Sequence, residues 1–393
     1  MEKIKESIVR HMKVLCEEIG ARATGSKANT QAVQYAAETL ERLGYEVTLQ
    51  EFPCIDWQNR GAQLKIDGQA LEVEVAEYAA PCEDSGELVF AETLEQLRNL
   101  NATNKLCVIY GELCKEPLMP KSMTFWNPEE HQAIIRELEE QKPSAVITVS
   151  FLSEVAVPII QDGDFDIPCA TVKGKYLPTL LQGKQAELTL DTERRQTTAA
   201  NVIATFGQGK KVSFSAHIDT KPTTPGALDN ASGTAALLVL AERLAKTEET
   251  FQKEIVLFNG EDYYSMPGEM TFMNQSLTVP EEYLWAVNVD GIGMKDSKTS
   301  YSFYACSELF EQRFERFAVD NDEFEKTEPW PMGDHMLFAG AGIPAIALTS
   351  SKITTLMEMV MHTPKDNLSI VDYERIAETV CFLDQAVETF TEE

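Results

Sequence analysis

The 393-residue chain carries 34 lysines and arginines against 63 aspartates and glutamates, a formal charge of −29. Such acidity disfavours nucleic acid, whose affinity rests on neutralising phosphates, and disfavours anionic membrane surfaces. With 44% apolar and 25% charged residues, wholesale disorder is excluded, and no run approaches the roughly 18 apolar residues of a membrane span. The opening Met1-Glu2-Lys3-Ile4-Lys5-Glu6-Ser7 lacks the apolar core of a secretory signal, and eight scattered cysteines form no Cys-x-x-Cys pair. Both features lead us to expect a cytoplasmic protein with reduced thiols.

In chain order, Ile4, Ile8, Met12 and Leu15 recur at helical spacing, then Val33, Ala36, Ala37, Leu40 and Leu43 after a Gly-Ala-Arg-Ala-Thr-Gly-Ser loop. Tyr45 to Phe52 reads as a strand. From Cys54 to Glu187 short strands dominate (Gln63–Ile66, Leu71–Val75, Leu106–Tyr110, Ala145–Val149), with one clear helix over Pro128–Gln141. We therefore expect residues 54–187 to form a small β-rich domain inserted into a larger one made of 1–53 and 188–393. In the second half, strands at Val212–Ala216, Ile255–Asn259, Trp285–Val289 and Pro344–Leu348 alternate with helices at Ala231–Lys246, Leu309–Asn321, Met332–Ala339 and Asp372–Phe390. Apolar strands separated by helices predict an α/β fold, a mixed, mainly parallel sheet flanked by helices.

Five segments of that half could bind metal: His217-Ile218-Asp219, Asp229-Asn230-Ala231-Ser232-Gly233, Glu261-Asp262, Asp290-Gly291, and His362-Thr363 followed by Asp366. Three follow directly on a predicted strand. The carboxyl ends of parallel strands line one edge of a sheet, where ligands bind, so these distant residues converge on one rim. Imidazole and carboxylate donors suit zinc, cobalt or manganese. The carboxylates exceed the needs of one ion, which favours a two-metal site with a bridging acid. Taken singly each segment is weak, since an Asp at a strand end is commonly a helix cap.

In this order, the five segments resemble the M28 family of zinc metallopeptidases, mostly aminopeptidases with two metal ions. The resemblance runs from about Asn201 to Asp372 and takes in Asn201-Val202-Ile203-Ala204, Gly333-Asp334-His335 and Gly342-Ile343-Pro344. It implies a zinc exopeptidase-like fold, with 54–187 similar to the protease-associated domain inserted here in many members. It also implies His217 and Asp290 on one zinc ion, Asp262 and His362 on a second, and Asp229 bridging both. Glu261 would be the general base, and Asp219 would hold His217 through its second ring nitrogen. His335 resembles a family histidine beside the site. The substrates implied are peptides, cleaved at the N-terminus.

Members usually show two glutamates where this chain has Glu261-Asp262, and a glycine-containing turn where it has Tyr263-Tyr264-Ser265-Met266-Pro267. The shorter aspartate bears on the second metal. Competing readings are a single-zinc acyl-transfer enzyme of the glutaminyl cyclase type, a binding protein with a dead site, and a carboxypeptidase. The complete donor set with Glu261 disfavours the first two. Against the third, only Lys221 and Lys365 lie near the motifs to receive a carboxylate. His11 and His131 fall in helices and are expected at the surface.

Overall fold

Strands such as Gln252–Phe258 are buried on both faces, so each needs a covering layer on either side. The computed structural model describes residues 1–123, 126–152, 156–247, 251–319 and 321–390. One unit comprises Met1–Cys54 and Thr197–Glu393, and a second comprises Ile55–Gln196.

In the first unit the strand order is Phe324–Lys326, Thr299–Tyr304, Ala345–Ser350, Tyr283–Val289, Lys211–His217, Gln252–Phe258 and the last part of Gln185–Phe206. The four from Ala345–Ser350 to Gln252–Phe258 are parallel. Their flanking neighbours, Thr299–Tyr304 and residues 202–206, pair antiparallel. Register places Phe258 beside His217 and Asn288 beside Ser215. The carboxyl ends of three adjacent strands therefore finish level with one another.

Side-chain alternation divides the core between the two faces. Ile255 and Leu257 join a cluster under the helices Glu2–Lys13, Lys27–Arg42, Ser232–Leu244 and Tyr373–Phe390. Val256 and Phe258 join the opposite cluster, where Phe258, Phe272 and Phe338 pack edge to face under Pro267–Gln275 and His335–Gly340. Ser232–Leu244 is apolar nearly all round because it lies between the sheet and the helices Glu2–Lys13 and Tyr373–Phe390. Truncating a side chain such as Leu237 there costs about 2–5 kcal/mol.

Two histidines expected at the surface are buried. His11 stands on the same stripe as Ile8 and Met12, and its Nδ1 lies 2.7 Å from the Tyr35 hydroxyl. Burial, with Arg10 nearby, lowers its pKa to about 4. His131 accepts the Met119 N–H on Nδ1 at 3.1 Å, and its Nε2 lies 3.3 Å from Glu116. The strand expected at Tyr45–Phe52 begins at Glu46 and is continuous with Gln63–Ile66 in one strand, Glu46–Ile66. Residues 58–61 between them are exposed without breaking it, because this strand pairs with Gln185–Phe206 and Arg60 reaches Asp191 and Glu193 at 3.0 and 2.9 Å. Since Gln185–Phe206 is itself continuous, the second unit closes at Gln196, beyond residue 187.

In the second unit Cys82–Ala91, Leu106–Ile109, Ala145–Ser150 and Cys169–Lys173 run parallel around their own apolar core. Helices Leu94–Arg98 and Leu177–Gln182 join the expected Glu129–Gln141. Its buried Asp162 is fully employed, accepting N–H bonds from Lys121 and Asp164 at 2.8 Å each. All eight cysteines are free thiols, and Cys16, Cys54, Cys107, Cys114 and Cys169 are buried. Among the described residues no helix is long and apolar enough to cross a membrane.

Candidate metal centre

Two groups of ligand-competent side chains share one member. His217, Asp229 and Asp290 form the first; Asp229, Asp262 and His362 form the second; within each the donor atoms lie within 4.8 Å of one another. His217 ends its strand, Asp290 follows Tyr283–Val289, and Asp262 follows Gln252–Phe258 by four residues. The level strand ends described above put all three on one rim. Asp229 comes from the turn before Ser232–Leu244, and His362 from the loop after Ile353–Met359, in the left-handed region at φ 61°.

His217 Nε2 lies 3.0 Å from Asp229 Oδ1 and 3.6 Å from Asp290 Oδ1. His362 Nε2 lies 3.0 Å from Asp262 Oδ1 and 3.3 Å from Asp229 Oδ2. Asp262, though a methylene shorter than glutamate, thus reaches the cluster. Its backbone is held there, with its N–H donating to Asp219 Oδ2 at 3.1 Å and its carbonyl accepting from Lys221 Nζ at 2.7 Å. Asp219 Oδ2 also accepts from the Thr24 hydroxyl at 2.8 Å, and Asp219 Oδ1 lies 3.6 Å from His217 Nδ1.

The Asp229-Asn230-Ala231-Ser232-Gly233 motif has a local explanation. Asn230 Nδ2 donates to the Val289 carbonyl at 2.8 Å, tying the turn to the strand end before Asp290, and its Oδ1 accepts the Gly233 N–H at 2.9 Å. A Cβ on Gly233 would fall 2.3 Å from the Val289 oxygen, so only glycine permits this approach. On the far side Asn201 Oδ1 accepts the Asn259 N–H at 2.9 Å, steadying the segment that leads to Glu261.

These residues fit metal ions. His217 Nε2, Asp229 Oδ2, Asp262 Oδ2 and Asp290 Oδ1 are buried without a hydrogen-bond partner in the protein. Leaving such groups unpaired costs free energy, which a coordinated cation offsets. The local field favours positive charge. Partial desolvation opposes protonation of the His362 ring, whose side chain stays half exposed, yet Asp229 and Asp262 outweigh it and raise its pKa to about 11. Burial likewise opposes a charged His217, and Asp290, Asp219 and Asp229 hold its pKa well above the ordinary value. Nitrogen and carboxylate donors in this mixture suit zinc.

Glu261 belongs to neither ligand group. Burial, reinforced by Asp262, Asp334 and Asp290 against the opposing pull of His217, raises its pKa well above the ordinary carboxylate range. Asp334 is pushed up to about 8, mainly by burial. His335 stays outside both groups: its Nε2 lies 3.2 Å from the Trp330 carbonyl and its ring centre lies 4.2 Å from that of Tyr304, tilted by 43°. Lys365 is exposed. The sequence reading did not single out Arg22, Thr24 or Glu269. Arg22 is fully buried beside the site, and both oxygens of buried Glu269 lack hydrogen-bond partners. The Arg-Ala-Thr-Gly-Ser loop carrying the first two was visible as a loop, with nothing in its composition to connect it to residues two hundred positions away.

Residues 201–383, which contain every member of both ligand groups, match the family model for peptidase family M28. Aminopeptidase YwaD of Bacillus subtilis is 23% identical over 388 residues, covering 95% of this chain and 82% of that protein. A solved structure of BSAP, a zinc aminopeptidase from Bacillus subtilis, superposes with a TM-score of 0.77 at 21% identity, covering 99% of this chain and 95% of that one. Glutaminyl cyclase of Porphyromonas gingivalis shares the fold more distantly, at a TM-score of 0.53 and 14% identity over 99% of this chain and 97% of that one. The match of residues 201–383 to the M28 model, together with the similarity to aminopeptidases over most of the chain, marks the protein as a peptide hydrolase.

Proposed function

We propose that the chain is an aminopeptidase using two divalent ions, zinc by preference, and that Asp229 serves both. The observation carrying this reading is the membership of Asp229 in two otherwise separate ligand groups. His217 and Asp290 would hold one ion, and Asp262 and His362 the other. Bound divalent ions supply Lewis-acid polarisation of the scissile carbonyl and lower the pKa of water. Asp219, with Oδ1 3.6 Å from His217 Nδ1, would favour the tautomer that leaves Nε2 free for coordination. Glu261 takes the proton of the attacking water and delivers it to the leaving amine, for which a raised pKa is suited. The acid-rich rim attracts a substrate's amino group and repels a terminal carboxylate. Of the cations near the rim, Lys221 donates to the Asp262 carbonyl and Arg22 to other carbonyls, whereas Lys365 is exposed.

The second reading is a single-zinc acyl-transfer enzyme of the glutaminyl cyclase type; two complete ligand groups weigh against it. One experiment separates the two. Metal-stripped protein is assayed on aminoacyl chromogenic substrates and on N-terminal glutaminyl peptides, with zinc, cobalt or manganese added back and the ion content measured. Release of the N-terminal residue with two ions per chain supports the proposal. Cyclisation of glutamine with one ion per chain replaces it by the second reading.

A further inference from the structure

The turn presenting Asp229 is gripped from opposite sides by two buried residues of opposite charge. From one side Arg22 Nη1 donates to the Pro225 carbonyl at 2.6 Å and Nη2 to the Gly226 carbonyl at 3.2 Å, while Nε donates to the Ile218 carbonyl at 2.6 Å. From the other side Asp366 accepts the Leu228 N–H on Oδ1 at 2.7 Å and the Asp229 N–H on Oδ2 at 3.1 Å. Both side chains are fully buried. Within the turn Gly226 sits at φ 56°, and a Cβ there would fall 2.3 Å from the Asp229 carbonyl oxygen.

A buried guanidinium spent on backbone carbonyls is an expensive way to hold a loop, since a neutral donor would avoid the desolvation of a full charge. What it brings is a planar fork that fixes several acceptors at once. Here the acceptors belong to two loops: Ile218 follows His217, and Pro225 and Gly226 precede Asp229. Arg22 thereby sets the distance between two members of the first ligand group. Asp366 lies four residues beyond His362 and ties the loop of the second group to the same turn. Arg22 is contributed by a segment outside the 201–383 match, so the site extends beyond the region in which all ligands lie.

We propose that Arg22 and Asp366 are positioning residues that clamp the Pro225–Asp229 turn so that one carboxylate stands within reach of both ligand groups. The clamp sets whether the site holds two ions or one. This inference rests on the two-ion reading above. Outer partners of metal ligands commonly change metal affinity or activity by about 10–100-fold when removed. Loosening the turn should cost the second ion first, because its other members include a loop histidine.

The test is calorimetric titration of zinc into metal-stripped wild type, Arg22→Ala, Arg22→Lys and Asp366→Asn, each checked for fold by circular dichroism. Wild type should bind two ions. Arg22→Ala and Asp366→Asn should remain folded and bind the second ion about 10–100-fold more weakly, with kcat lowered more than KM is raised. Added guanidinium at sub-denaturing concentration should restore two-ion binding to Arg22→Ala alone. Arg22→Lys should fall between, since an ammonium lacks the planar fork that reaches carbonyls of two loops at once. If Arg22→Ala does not fold, Arg22→Lys and Asp366→Asn decide the matter by the same titration. Variants that lose thermal stability but keep wild-type affinity for both ions would overturn the clamp and leave the two-ion reading intact. A wild type that binds fewer than two ions would overturn both.

Discussion

His217 and Asp290 stand on adjacent parallel strand ends, and His217 is only 1% exposed, with Asp219 behind its second nitrogen. Asp262 is equally buried, but its partner His362 comes from a loop and is 53% exposed. The two groups therefore differ in how their imidazole is held. A sheet fixes the first at the cost of burial, whereas the second keeps contact with solvent and depends on a residue in the left-handed region. A shared carboxylate joins a rigid half-site to an adjustable one. If both ions bind, the rigid half should retain its ion longer under chelation.

The strongest way to break this contrast is Asp229→Asn, which removes the common member. Both ions should disappear together and turnover should fall below that of any other single variant here. Elemental analysis showing one ion retained at full occupancy would mean that the groups do not depend on a common acid. Next comes Glu261→Gln, which leaves both groups whole and removes only the proton acceptor. Two ions should remain, with turnover down on the order of 10²–10⁴; near-normal activity on a good substrate would deny Glu261 its role.

A smaller effect sharpens the contrast within the second group. Asp262 Oδ1 already lies 3.0 Å from His362 Nε2, with its backbone tied to Asp219 and Lys221. Zinc–carboxylate bonds of about 2.0–2.2 Å leave little slack. Asp262→Glu should crowd the site and weaken the second ion by roughly tenfold, about 1.4 kcal/mol. Tighter binding of that ion together with higher activity would show instead that the present site is too wide.

The smallest effect uses a histidine in the opposite environment. Burial and Arg10 lower His11 to about 4 from an ordinary 6.5, so the unfolded chain takes up its proton first. Its contribution to stability is present above pH 6.5 and is lost as pH falls through about 4. That contribution is on the order of 3 kcal/mol at most. Urea unfolding with chelator present should show a flatter acid limb for His11→Gln than for wild type. Identical limbs would mean that His11 is accessible to protons in the folded state.

Four of the five candidate ligands were legible because they sit in short segments whose neighbours are diagnostic: a strand before His217, Asp262 and Asp290, and a helix start after Asp229. Of their supports, Asp219 was legible and Asp366 was visible only as an acid after His362-Thr363, not as a holder of the Asp229 turn. Arg22 and Thr24 were not legible, because they act on backbone atoms or on Asp219 from a remote part of the chain, and a hydrogen bond to a carbonyl leaves no pattern in the acceptor's sequence. The burial of His11 could have been read from its place three residues after Ile8 on an amphipathic stripe, and that of His131 from its place before Ile134 and Ile135. The single strand Glu46–Ile66 was hidden because exposed polar residues in its middle look like a loop until the partner strand is known.

The free thiols turn the molecule into its own reporter. Burial raises Cys16, Cys107 and Cys114 to about 12, so at neutral pH essentially none is present as the reactive thiolate. A disulfide-exchange reagent can then reach them only through transient opening, and its rate counts those openings. Cys16 lies in the unit that carries both ligand groups, and Cys107 and Cys114 lie in the other. Labelling rates followed by mass spectrometry thus give each unit a separate clock under native conditions. Adding zinc should slow the first clock by mass action. The second clock keeps its pace unless the two units open together.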